Sequence, residues 1–75
     1  MPKYLNKNGD SGILRYEIQV DGIIVQFSDF SEYLYTSLSA GINNIAKMKE
    51  LAIQGYGLNS FINKYVRTGY QSKIK

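Results

Sequence analysis

The chain contains no cysteine, no histidine and no tryptophan, and its single proline is Pro2. Without cysteine, neither a disulfide nor a thiolate-held metal can stabilise the fold. Without histidine, the commonest general base, the commonest zinc ligand and every imidazole-based triad are missing. No apolar run approaches the length of a membrane span, and the opening MPKYLNKNGD has no apolar signal core. These absences predict a cytoplasmic protein that uses no cofactor, no metal and no membrane. At 75 residues the chain lies near the lower limit for a domain that folds alone. Its stability must come from buried apolar surface, aided by self-association, and a hydrophobic share of 44% with seven tyrosines and three phenylalanines can form such a core.

Charge is unevenly distributed. Residues 1–37 hold three basic side chains against five acidic ones, whereas residues 38–75 hold six basic ones against Glu50 alone. The second half, at +5, can attract phosphate, although solvated lysines on the backs of helices are the better explanation of a charge this modest.

The first ten residues are polar and read as a loose arm, and residues 71–75 read as a basic tail. Between them lies one domain, residues 11–70. From Leu14 the pattern alternates: Leu14, Tyr16, Ile18 and Val20 take one side, Arg15, Glu17 and Gln19 the other, as in a half-buried strand. Asp21-Gly22 then predicts a tight hairpin turn that sets Val20 opposite Ile23, Ile18 opposite Val25 and Tyr16 opposite Phe27. The following turn, around Asp29, decides where Tyr33 and Tyr35 go. A loop with an odd number of residues places both rings on the core face and Leu34 outside beside Gln26. An even loop exposes the rings and buries Glu32, so polar satisfaction favours the odd one.

After Ser37 the spacing becomes helical. Gly41, Ile45, Met48 and Ala52 form one stripe, broadened by Ile42, Leu51 and Ile53, with Ser37 or Ser39 as the cap and Gly55 as the stop. Leu58, Phe61, Ile62, Tyr65 and Val66 make the stripe of a second helix. The expected fold is α+β: a three-stranded antiparallel meander followed by two helices packed on one face, β-β-β-α-α.

Four segments carry a resemblance: "SGILRYEI" (11–18), "IIVQF" (23–27), "YLY" (33–35) and "GYGLNSFINKYV" (55–66). Together they resemble the KTSC domain family, named for its occurrence at the C-terminal end of some lysyl-tRNA synthetases, over roughly residues 11 to 70. The motif residues this resemblance implies are Tyr33, Tyr35, Gly57 and Asn59. The family often has glycine in the second turn, where this chain has Phe30. The resemblance implies no catalytic residue. RNA binding has been suggested for the family from the synthetase association, and stand-alone members are similar to small bacterial or phage-encoded proteins.

The residues themselves give no catalytic constellation. Asp21 and Asp29 are turn residues, Glu17 lies on the polar side of a strand, and Ser37 and Ser39 have no nearby base. Two binding readings remain. RNA or another nucleic acid would meet Lys47, Lys64, Arg67, Lys73 and Lys75, with Tyr4, Tyr56 and Tyr70 as stacking rings. A protein partner, or a second copy in a homo-oligomer, would meet Ile24 and Leu34 on the outer sheet face or add a strand along "EYLYTS". The expected function is a non-enzymatic binding or adaptor domain that contacts a protein partner or itself, with weak RNA binding as the alternative.

Overall fold

The computed structural model describes residues 1–7 and 12–75. Residues 8–11, which include much of the expected arm, Asp10 and the first residue of the 11–18 segment, lie outside the described residues. The architecture is α+β, as expected: a meander of β1 (Ile13–Gln19), β2 (Gly22–Phe27) and β3 (Glu32–Thr36), followed by helices. The helical part comprises a single turn, α1 (Ser37–Ala40), then α2 (Ile42–Gln54) and α3 (Leu58–Tyr65). A two-residue strand, β4 (Ser72–Lys73), completes a sheet of order β1-β2-β3-β4.

One core lies between the sheet and the helices. Ile13, Ile23, Val25 and Tyr35 meet Ile45, Met48 and Leu51 of α2 and Leu58 and Ile62 of α3. Five loop residues between Gln26 and Glu32 make the odd register real, so Val25 faces Tyr33 and Ile23 faces Tyr35. Leu34 points outward as expected, but its neighbour is Ile24 rather than Gln26, which pairs with Glu32.

The first hairpin differs from the expected one. Ile18 pairs with Ile23, Tyr16 with Val25 and Gln19 with Gly22, so the two-residue loop is Val20-Asp21 rather than Asp21-Gly22. Val20 stands fully exposed, at 102% of its reference area, and is not in the core. The register slides by two residues, which leaves every side chain on the same face, so alternation cannot separate the two arrangements. Contacts to the third strand and α1 separate them. Asp21 accepts hydrogen bonds from the Ser37 backbone N–H and hydroxyl, both at 3.0 Å, which holds it in the loop. A second departure lies at the other end of β1, where the ladder passes from Ile13–Phe27 to Arg15–Gln26. Leu14 is the extra residue of this bulge, so Ile13 takes the core place expected for Leu14.

The helix boundaries also differ in detail. Thr36 caps α1 in a reciprocal box with Ser39, so Ser39 is the third helical residue and neither Ser37 nor Ser39 is the cap. Gly41, at φ +95°, breaks the run that reads as one helix from Ser37. Gly55, at φ +85°, ends α2 where the sequence predicts. Ile42 and Ile53 of the expected apolar stripe are exposed, while Leu51 is buried.

Both ends of the chain are built into the sheet instead of standing off it. Lys3 bridges Arg15 across the β1 edge, the Tyr4 N–H donates to Leu14 at 2.9 Å and the Tyr16 N–H to Pro2 at 3.0 Å. Tyr4 is 1% exposed, and its hydroxyl accepts from the Leu58 N–H at 3.2 Å. It thus caps α3, whose N-cap Gly57 has no side chain to do so. Tyr4 is therefore a core residue and cannot serve as a stacking ring.

Phe30 holds the second turn in the left-handed region, φ +69°, with 64% of its surface exposed. A phenylalanine there carries a steric penalty that glycine escapes. Phe30→Gly should raise the unfolding free energy by about 0.5–1 kcal/mol, net of glycine's larger unfolded entropy, in a urea titration.

Candidate functional site

Period-2 alternation puts Tyr33 and Tyr35 on one face of β3, and the two fare differently there. Tyr35 is 2% exposed and belongs to the core, while Tyr33 is half-buried at its margin. The Tyr33 ring meets Phe27 edge-on, with centroids 5.7 Å apart. Tyr70, from the segment after α3, lies against both members of the pair, 4.8 Å from Tyr33 and 6.3 Å from Tyr35, in edge-to-face arrangements. Such pairs add roughly 0.5–1.5 kcal/mol beyond their buried area.

These rings form one side of a cleft of about 420 Å³. The β2–β3 turn supplies Ser28, Asp29 and Ser31, and α3 with the turn after it supplies Ile62, Asn63 and Arg67. The turn is internally tied: the Ser31 N–H and hydroxyl both donate to Asp29 Oδ1, at 3.0 and 2.6 Å. The Ser31 hydroxyl, then its backbone N–H, with a smaller effect from Lys73, hold the Asp29 carboxyl below the usual carboxylate range. Asp29 is thus an anion at neutral pH. On β4, paired with Tyr33, Lys73 holds its Nζ 5.8 Å from the centre of the Tyr33 ring. The cleft therefore combines aromatic walls, an amide, one carboxylate and the Arg67 guanidinium, with Lys73 beside Tyr33 outside the lining. Burial, with smaller effects from Tyr33 and Tyr70, pushes the Tyr35 hydroxyl up to about 12.

The residues singled out from sequence are only partly gathered here. Arg67 lines the cleft and Lys73 stands beside Tyr33. Lys75 is tied through its backbone to Glu32. Lys64 lies over Tyr65, 5.2 Å from its ring, on the exposed side of α3. Lys47 is on α2, paired with Glu50 at 3.2 Å. The five cations therefore form no single patch. Among the motif residues, Gly57 starts α3 at φ +83° and Asn59 lies in its first turn. Ile24 and Leu34 are opposite one another on the outer face, each half-buried. Tyr56 is exposed with Lys7 over it, away from the cleft lining.

Sequence reasoning missed Phe27, Asn63 and the turn hydroxyls as cleft residues, and it missed β4. The available signal was in the tail: Tyr70 and Ile74 directly flank the polar stretch Gln71-Ser72-Lys73, which otherwise reads as solvated. Among the described residues, no cluster of acidic side chains could hold a metal, and no helix is long and apolar enough to cross a membrane. Comparison with family models, curated proteins and solved structures finds no match.

Proposed function

We propose that this chain is a non-enzymatic, KTSC-like binding module that contacts a protein partner at the β3 edge and the aromatic cleft beside it. The observation that carries this reading is that β3, the strand bearing the Tyr-x-Tyr pair, receives a short exposed segment along its outer edge through backbone bonds. Among the described residues, Ser72 and Lys73 form the regular ladder with this five-residue strand, and Gln71, Ile74 and Lys75 add backbone hydrogen bonds to Leu34 and Glu32. A sheet edge that takes a segment in this way suits strand addition, in which main-chain bonds supply affinity and neighbouring pockets supply selectivity. The tyrosines that line such a pocket are amphipathic rings well suited to protein contacts. Affinity capture from lysate, with and without nuclease, tests the reading. Retained proteins should survive nuclease treatment, and release of all bound material by nuclease would refute it.

A second reading, weak binding of single-stranded RNA, is favoured by one observation: Arg67 and Lys73 both lie next to the Tyr33–Tyr70 rings. Stacking rings flanked by cations are what such binding requires. Arg67→Gln with Lys73→Gln should then weaken retention on RNA and reduce the salt slope by about 0.7 per lost cation. Absence of wild-type retention at low salt would end this branch.

A further inference from the structure

The cover on β3 is the chain's own C-terminal segment, and its manner of attachment points to a further role. Residues 71–75 are held through the backbone. The Gln71 N–H donates to Leu34 at 2.6 Å, the Ile74 N–H to Glu32 at 2.7 Å, and the Lys75 N–H to Glu32 at 3.3 Å. One side-chain bond is added, from the Thr36 hydroxyl to Gln71 Oε1 at 2.8 Å. Every residue from Tyr70 to Lys75 is nevertheless exposed. Beside the Thr36–Gln71 bond, the tail's side chains meet aromatic rings at two places three residues apart. Tyr70, 41% exposed, rests between the Tyr33 and Tyr35 rings, and Lys73 lies over Tyr33 within the field of Asp29.

We infer that residues 70–75 are a built-in, displaceable occupant of a strand-binding site, and that the site takes a partner segment with an aromatic residue, a bend directly after it and a cation three positions on in the strand that follows. This rests on the protein-contact reading above. The segment's pairing fixes the frame: antiparallel to β3, with the cation opposite Tyr33. The aromatic residue is specified by the two ring edges that receive it, and the cation by the Tyr33 face and the Asp29 carboxylate. A tethered occupant has a millimolar effective concentration, so a competitor must bind better than the tail. The cleft of about 420 Å³ left open beside Tyr33 gives it room to do so. The tail therefore sets a threshold that excludes weak strands from an otherwise indiscriminate edge.

The chain has no cysteine, so a disulfide can report on the tail without interference. Leu34 and Ser72 are direct partners across β3 and β4, a separation that a disulfide can span. In full-length protein carrying Leu34→Cys and Ser72→Cys, oxidation should lock the tail down and reduction release it. The probe is a fluorescent peptide with the sequence of residues 69–75, GYQSKIK. The reduced protein should bind it at least tenfold more tightly than the oxidised protein, and a peptide with alanine for the tyrosine should bind at least tenfold more weakly. Matching circular dichroism spectra of the two forms would show that both are folded. Equal binding by the two forms, or no binding by the reduced form at roughly millimolar peptide, would overturn the inference. So would concentration-dependent dimers of the reduced protein with disulfide-linked dimers on oxidation, because the occupant would then be a second copy. Either failure leaves the nuclease-resistant capture of a protein partner untouched, so the two readings fall separately.

Discussion

Tyr35→Ala should lower the unfolding free energy by about 3–5 kcal/mol, the range for removing a fully enclosed aromatic side chain. The ring is 2% exposed, lies opposite Ile23 and supports Tyr70, so truncation opens a void that backbone on both sides cannot close. Urea denaturation of the purified variant measures the loss, and a change below about 1 kcal/mol would contradict the enclosed placement. Tyr35→Phe separates the hydroxyl from the ring. The folded hydroxyl titrates near 12, above the ordinary 10.0, because burial disfavours the phenolate. Between those two values the unfolded chain binds fewer protons than the folded one, so stability falls as pH rises through that window. The wild type should lose this increment of stability across that window while Tyr35→Phe does not, and a late component in the tyrosinate absorbance should vanish in Tyr35→Phe.

Gly22→Ala should destabilise the protein by about 3 kcal/mol, the upper part of the range for forced overpacking. A methyl group at this position would overlap the Tyr35 carbonyl oxygen and approach the Thr36 Cα to 3.1 Å. Both atoms belong to the backbone, so β3 must move as a unit to admit it. Gly22→Asn is the sharper test. Asparagine tolerates the left-handed region, so an asparagine would be accepted if Gly22 served a turn that needs positive φ. Gly22 does not adopt positive φ, and it is paired with both Gln19 and Thr36 inside the sheet. Asparagine should therefore be at least as damaging as alanine, as read by thermal denaturation of the two variants side by side.

This glycine also shows how far the sequence was legible. Alternation correctly put Tyr16, Ile23, Val25 and Tyr35 on one face, because period-2 burial is a local property. Asp21-Gly22 reads as a turn pair, yet the glycine is required by a neighbouring strand that turn chemistry does not consider. The bulge at Leu14 was hidden for a related reason. An apolar residue at both 13 and 14 fits either face, and only pairing with Phe27 decides between them. The helical stripe identified Ile45, Met48 and Ala52 correctly, but Gly41 breaks the first helix through a φ value that a permissive residue leaves unstated. The cleft was least legible. Its walls come from a turn near residue 29, a helix near residue 63 and a segment near residue 70, and no local pattern joins pieces so far apart. Arg67 was identified by charge alone, and Tyr70 as a stacking ring without its place against Tyr33 and Tyr35.

The cap that Tyr4 places on α3 has a consequence of its own. The amino-terminal segment also meets the α2–α3 corner: the Lys7 N–H donates to Gly55 at 2.7 Å, and Leu5 Cβ lies where a side chain on Gly55 would have to go, 2.6 Å from that position. Residues 4–7, the corner and α3 should therefore open together, with amide exchange along α3 tracking the docking of Tyr4. Arg67 and Asn63 are carried by that helix and the turn after it, so the geometry of the cleft is governed from the opposite end of the polypeptide.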